Sequence, residues 1–246
     1  MGKVILKVSN LGKSYNKGKN FTVSDVSFSV EEGQIVGLVG RNGVGKSTII
    51  KSITGILPFE KGEALINDFD VSVNPVQAKR CLGYVPDVSN AFDRMTGLEY
   101  LNFVADIFNV SKEIRQEKIN EFQSMFPLGD NIHKLINSYS HGMKQKISIM
   151  ASLLSEPKLW ILDEPITGLD PQTALSLTEY MKKYAEKGNA VLFSSHNLDV
   201  VEKICDRVII INNGKLVYDN DIDELKKNSK KTLEQFFMEK SGKWEL

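Results

Sequence analysis

The sequence predicts an α/β fold built on a mainly parallel sheet, with a helical segment inserted into it. Three observations carry that prediction. Short, almost wholly apolar runs recur along the chain, as strands buried on both faces require. Helix-forming stretches lie between them. A glycine-rich loop leaves the end of the first such run. A chain of 246 residues can bury a sizeable core as one large domain or two small ones.

Taken in order, the first third reads as strands. Val26, Phe28 and Val30 alternate with Ser27 and Ser29, the pattern of a half-buried strand. Glu32-Gly33 punctuates, and Ile35 to Val39 follows as an apolar run. Leu159 to Leu162, Ala190 to Phe193 and Val208 to Ile211 repeat that signature, and Pro171 to Lys187 reads as a helix between two of them. The stretch from about 97 to 156 is different: Leu101, Val104, Ala105 and Phe108 recur at helical spacing, and Pro127, Gly129 and Asp130 divide it into separate helices. Asn213-Gly214 between two apolar runs is a hairpin signal. Residues 1–220 are expected to form one domain, with the helical subdomain inserted at about 97–156, and 221–246 a charged helical tail.

Charge excludes some functions. Lys plus Arg and Asp plus Glu both number 31, and a balanced chain is a poor general coat for nucleic acid, so no nucleic-acid partner is expected. No apolar run approaches the ~18 residues needed to cross a bilayer, and the N-terminus lacks a long apolar signal region. Cys81 and Cys205 form no closely spaced pair and read as reduced thiols. These features predict a cytoplasmic chain.

Gly40-Arg41-Asn42-Gly43-Val44-Gly45-Lys46-Ser47 fits G-x-x-x-x-G-K-[S/T] in full, between a buried strand and a helix start. Glycines let the backbone curl so that successive N–H groups face phosphate oxygens, and the helix N-terminus adds partial positive charge. Lys46 can reach β- and γ-phosphates, and Ser47 can ligate Mg²⁺. Gly40, Asn42, Gly43, Gly45, Lys46, Ser47 and Thr48 are therefore candidate nucleotide-binding residues. The run Leu159 to Leu162 delivers Asp163, placed to hold Mg²⁺, and Glu164, placed to polarise an attacking water as general base. His196 follows the run Ala190 to Phe193 and can hydrogen-bond a γ-phosphate. In a parallel sheet these strand ends share one edge, where ligands bind. Lys46, Glu164 and His196 are the candidate catalytic residues.

With these residues in order, the chain resembles the ATP-binding subunits of ABC transporters over nearly its whole length. The specific element is Tyr139-Ser140-His141-Gly142-Met143-Lys144-Gln145, similar to the family's Leu-Ser-Gly-Gly-Gln signature. Ser140 and Gly142 are retained; His141 stands in place of the first glycine, Tyr139 of the leucine and Met143 of the glutamine. The resemblance implies a P-loop ATPase core with a mainly parallel sheet, an N-terminal antiparallel β subdomain and an inserted α-helical subdomain. It implies ATP and Mg²⁺ as cofactors, with Tyr15 stacking on adenine and Ser140 and Gly142 binding the γ-phosphate held by a partner subunit. His141 then lies near that phosphate, donating a hydrogen bond or crowding the dimer interface. Gly168-Leu169-Asp170 matches the loop that crosses the interface, and Asp170 before Pro171 also reads as a helix N-cap. Asp87 occupies the place of a usual glutamine that ligates Mg²⁺; it reads as a metal-site residue that binds Mg²⁺ through water or swings away when nucleotide is absent, or as a loop or cap carboxylate.

The expected partners are a second ATPase subunit, identical or related, and separately encoded transmembrane permease subunits, which hold the chain at the inner face of the membrane. The expected activity is ATP hydrolysis that powers transport. The signature variant resembles those of bacterial exporters, which points to export. The rival reading is a soluble relative in a non-transport assembly such as iron–sulfur cluster assembly.

Overall fold

The structure, a computed structural model, describes residues 2–16, 20–87, 92–229 and 232–241. Of the tail residues that suggested a charged helical end, Lys230, Lys231 and Trp244 lie outside them.

Strands β1 (Val4–Ser14) and β2 (Phe21–Glu31) pair antiparallel. β3 (Ile35–Val39) leaves them for a second sheet and runs through the glycine-rich loop into α1 (Lys46–Ile53). β4 (Lys61–Ile66) and β5 (Phe69–Asp70) return to the first sheet, whose order is β2-β1-β4-β5 with every pairing antiparallel. α2 (Pro75–Arg80) leads to β6 (Leu82–Val85). Then come α3 (Gly97–Ile107), α4 (Lys112–Met125) and α5 (His141–Leu153), the inserted helices, each opened by a hydroxyl cap from Thr96, Ser111 or Ser140. The rest alternates: β7 (Leu159–Asp163), α6 (Pro171–Glu186), β8 (Ala190–Ser195), α7 (Leu198–Ile204), β9 (Arg207–Asn212), β10 (Lys215–Asp221), α8 (Ile222–Ser229) and α9 (Leu233–Ser241). The second sheet has the order β10-β9-β3-β8-β7-β6. All its pairings are parallel except that of β10, which the Asn213-Gly214 turn folds back on β9.

The apolar runs divide between two cores by the period of two that a strand imposes. On β7, Leu159 and Ile161 face the first sheet and α1, while Trp160 and Leu162 face the inserted helices and α6. Val36 and Leu38 split from Ile35 and Val39 on β3 in the same way. This is why neither face of these strands tolerates polar residues. The tail closes one end: Phe237 and Leu233 are buried, Phe236 tilts against Tyr218, and Glu202 on α7 accepts from the Leu233 N–H at 3.0 Å.

β6 carries Gly83 where α5 ends. A Cβ at Gly83 would stand 2.4 Å from the Ser152 carbonyl oxygen and 2.7 Å from Pro157 Cγ. Backbone on one side and a ring on the other leave no flexible atom to yield. Gly83→Ala should therefore destabilise the fold by about 1–3 kcal/mol, as measured by urea denaturation; an unchanged midpoint would contradict this close approach.

Candidate functional site

The order β3-β8-β7 places three strand ends side by side. Val39 pairs with Ser195, and Asp163 with Ser194, so the loop after β3, the carboxylates after β7 and His196 after β8 meet at one edge. The sequence expectation of a shared edge is what the sheet provides.

In the loop, Gly43 and Gly45 adopt φ of +78° and +114°, the region that favours glycine. At Gly40 the approach is steric: a Cβ would sit 2.6 Å from the Ile211 carbonyl oxygen. Gly45 opens α1 with no side-chain cap and no acidic residue in the first turn, so its first N–H groups and dipole face the loop interior. Lys46 is buried, and its ammonium donates to the Gly40 carbonyl at 2.7 Å and the Arg41 carbonyl at 3.3 Å. A buried amine held by loop carbonyls, beside a helix N-terminus with uncapped N–H groups, is a cradle suited to phosphate. Tyr15 is exposed beside it, its hydroxyl 3.2 Å from Thr48 Oγ1.

Asp163 is almost fully buried and accepts from Ser194 Oγ at 2.7 Å. The same Ser194 oxygen accepts from the Glu164 N–H at 3.0 Å. Glu164 takes a φ of +50°, uncommon for a residue with a side chain, and the turn puts its carboxylate between two cations or donors. Lys46 Nζ lies 3.6 Å from one oxygen, and His196 Nδ1 lies 2.8 Å from the other. A carboxylate only accepts, so Nδ1 carries the proton in this pair.

Asp87 reaches solvent, yet its pKa is raised. Partial burial is the main cause, followed by the carboxylates of Asp163 and Glu164, with His141 and Lys51 opposing. Asp87 thus belongs electrostatically to the same carboxylate group. Among the described residues no cluster of three or more His, Cys, Asp or Glu side chains is arranged to hold a metal by itself. Mg²⁺ is commonly held by one or two carboxylates, waters and substrate phosphates, and Asp163 and Asp87 bring carboxylates to this edge.

Ser140 and Gly142 stand apart from the loop, at the start of α5. Ser140 Oγ accepts from the Met143 N–H at 3.3 Å, the capping role, and Asp170 caps α6 by accepting from the Thr173 N–H at 2.9 Å. Sequence reasoning missed Ser194. It lay inside an apolar strand end with no motif, and only its place opposite Asp163 in the parallel register shows its use.

The sequence profile of the ABC transporter family matches residues 23–167, more than half of the chain. The chain belongs to the ABC transporter family. Relatives of this ABC protein include the ABC-type transporter ATP-binding protein EcsA of Bacillus subtilis (strain 168), 34% identical over 222 residues, covering 90% of this chain and 89% of that protein. The lipopolysaccharide export system ATP-binding protein LptB of Escherichia coli (strain K12) is 34% identical over 215 residues, covering 86% and 88%. A solved ATP-binding subunit of an ABC transporter superposes with a TM-score of 0.90 at 31% identity, covering 96% of this chain and 98% of that one. The chain is accordingly an ABC-type ATPase with ATP and Mg²⁺ as cofactors. ABC ATPases work as dimers and with transmembrane partners. Among the described residues no helix is long and apolar enough to cross a membrane.

The Ser194 hydroxyl satisfies a buried carboxylate and a strained backbone amide at once. Ser194→Ala leaves both short of a partner and should cost about 1–3 kcal/mol in chemical denaturation. A change below about 0.5 kcal/mol, typical of an inert surface site, would show that the hydroxyl is dispensable.

Proposed function

We propose that this chain is the ATP-hydrolysing subunit that powers export of a substrate through a separately encoded permease. The observation that carries the reading is the Glu164 carboxylate, half-buried and fixed between Lys46 and His196 at 3.6 and 2.8 Å. A general base must be aimed, and two donating neighbours hold this carboxylate in place. Residues 1–220 make up the ATPase domain, with the helical subdomain at about 97–156, and 221–246 the tail.

In this reading the loop N–H groups from Gly40 to Thr48 and the Lys46 ammonium hold the β- and γ-phosphates. Tyr15 provides the ring for adenine. Ser47, Asp163 and Asp87 hold Mg²⁺, which when bound neutralises charge developing on the phosphate oxygens. Glu164 takes the proton of the attacking water, and His196 keeps its carboxylate turned to the edge. Ser140 and Gly142 serve the nucleotide of the partner subunit, identical or related, in a head-to-tail dimer. Such a dimer closes on ATP and opens when hydrolysis removes the shared phosphate.

The permease reading is supported by a groove of about 300 Å³ between the core and the inserted helices. Ile56, Tyr84, Tyr100, Val104 and Phe108 line it. Ile56 is 56% exposed, a large apolar side chain open to solvent. Tyr84 links the groove to the site: its hydroxyl is buried without a partner among the described residues, and its pKa is pushed up by burial first, then by Asp163 and Asp87. The export direction is supported by the 34% identity to LptB, whose name assigns it to lipopolysaccharide export. The subunit would then work at the inner face of the membrane.

Glu164→Gln should leave ATP binding intact, lower turnover at least ~10²-fold, and trap an ATP-bound dimer on size-exclusion chromatography. Normal phosphate release by that variant would remove Glu164 from the role. The native protein should co-purify with a multispanning membrane protein. Ile56→Glu should abolish that co-purification while changing the ATPase of the isolated subunit by no more than about twofold, as expected of a surface change. Undiminished co-purification would clear the groove of a docking role.

A further inference from the structure

The first turns of α5 present one face to the loop that follows Glu164. His141, Gly142, Gln145 and Lys146 are spaced i, i+1, i+4 and i+5, so they share that face. Gln145 Nε2 donates to the Pro165 carbonyl at 3.3 Å. Lys146 Nζ lies 3.0 Å from Asp170 Oδ2. The two ends of the 165–170 loop are thus tied by polar side chains. Its middle is held by shape. A Cβ built on Gly168 would lie 2.2 Å from His141 Cδ2, so the exposed imidazole rests against the glycine and would have to turn aside for a methyl group. Gly142 meets the Gly168 carbonyl oxygen from the same side, where a Cβ would stand 2.7 Å away. Gly168 itself has φ +80°.

The loop begins at the strained residue. Glu164 has φ +50°, and its carbonyl accepts from the Thr167 N–H at 3.2 Å, while Leu169 donates to Ile166 at 3.2 Å. A displacement at Gly168 therefore passes through two short turns to the Glu164 backbone.

We propose that His141 is a positioning residue that acts through Gly168. Its ring sets how closely α5 approaches the 165–170 loop, and so fixes where the Glu164 carboxylate points. This role is additional to the two its place in the sequence leaves open, a hydrogen bond to the partner's phosphate or crowding of the dimer interface. The catalytic part rests on the reading of Glu164 as general base. The packing part does not.

The test is a double-mutant cycle in the full-length protein. His141→Gly, Gly168→Ala, the double variant and His141→Gln are compared by thermal melting and by steady-state phosphate release with Mg-ATP. His141→Gly should lower kcat about tenfold with KM for ATP unchanged, the signature of a misplaced group rather than lost binding. His141→Gln, a planar side chain of similar reach, should recover most of kcat. Gly168→Ala should lower both Tm and kcat, and the double variant should exceed Gly168→Ala in both, because the vacated ring space takes the methyl; the left-handed backbone keeps that recovery incomplete. Additive effects on Tm would overturn the packing. Non-additive Tm with additive kcat would overturn the positioning role. A raised KM with unchanged kcat in His141→Gly would assign the ring to nucleotide instead. Full turnover by Glu164→Gln in the same assay would overturn the base assignment while leaving the Tm cycle to judge the contact.

Discussion

One buried hydroxyl sets the terms for the site. Asp163 lies almost wholly out of water, and a carboxylate there is tolerable only with a donor at hand. Ser194 supplies it from the neighbouring strand and uses its remaining capacity on the Glu164 amide. The pairing of β7 with β8 is thereby continued beyond the last ladder bond into the side chains. Glu164 can turn through a positive φ because its N–H remains satisfied, and that turn delivers its carboxylate to Lys46 and His196. The geometry of the edge follows from a hydrogen bond that carries none of the chemistry.

Much of this was legible before any coordinates. Runs such as Leu159 to Leu162 read as strands because both faces are buried, and the two cores confirm the cause. Asn213-Gly214 read as a hairpin and is one, and the caps at Ser140 and Asp170 stand where short polar side chains precede helices. The phosphate loop was readable because its chemistry is local: one loop, one strand end, one helix start. What escaped was non-local. The order β2-β1-β4-β5 depends on partners far apart in sequence, and β1 conceals its period of two behind bulges and a positive φ at Asn10. The contact of His141 with Gly168 joins the start of α5 to a loop that only tertiary packing brings beside it.

Charge at the edge is uneven by construction. Asp87, Asp163 and Glu164 gather there, and the raised pKa of Asp87 records its own burial first and then repulsion from Asp163 and Glu164. Lys46 offsets part of that charge from below, holding to loop carbonyls with its other hydrogens. The neutral total of the chain therefore conceals a local excess of carboxylate that a divalent cation is suited to relieve.

The placement of β3 has a consequence for how the protein is made. This strand, which delivers the phosphate loop, has β8 and β9 as its two neighbours in the sheet. Those neighbours begin at Ala190 and Arg207, in the last quarter of the chain. Synthesis runs from the N-terminus, so β3 waits on the ribosome without a ladder partner while most of the protein emerges. Its fully apolar sequence is exposed to the wrong pairings for that whole interval. The nucleotide cradle is written well before the two strands that flank it, and it acquires its shape only when they arrive.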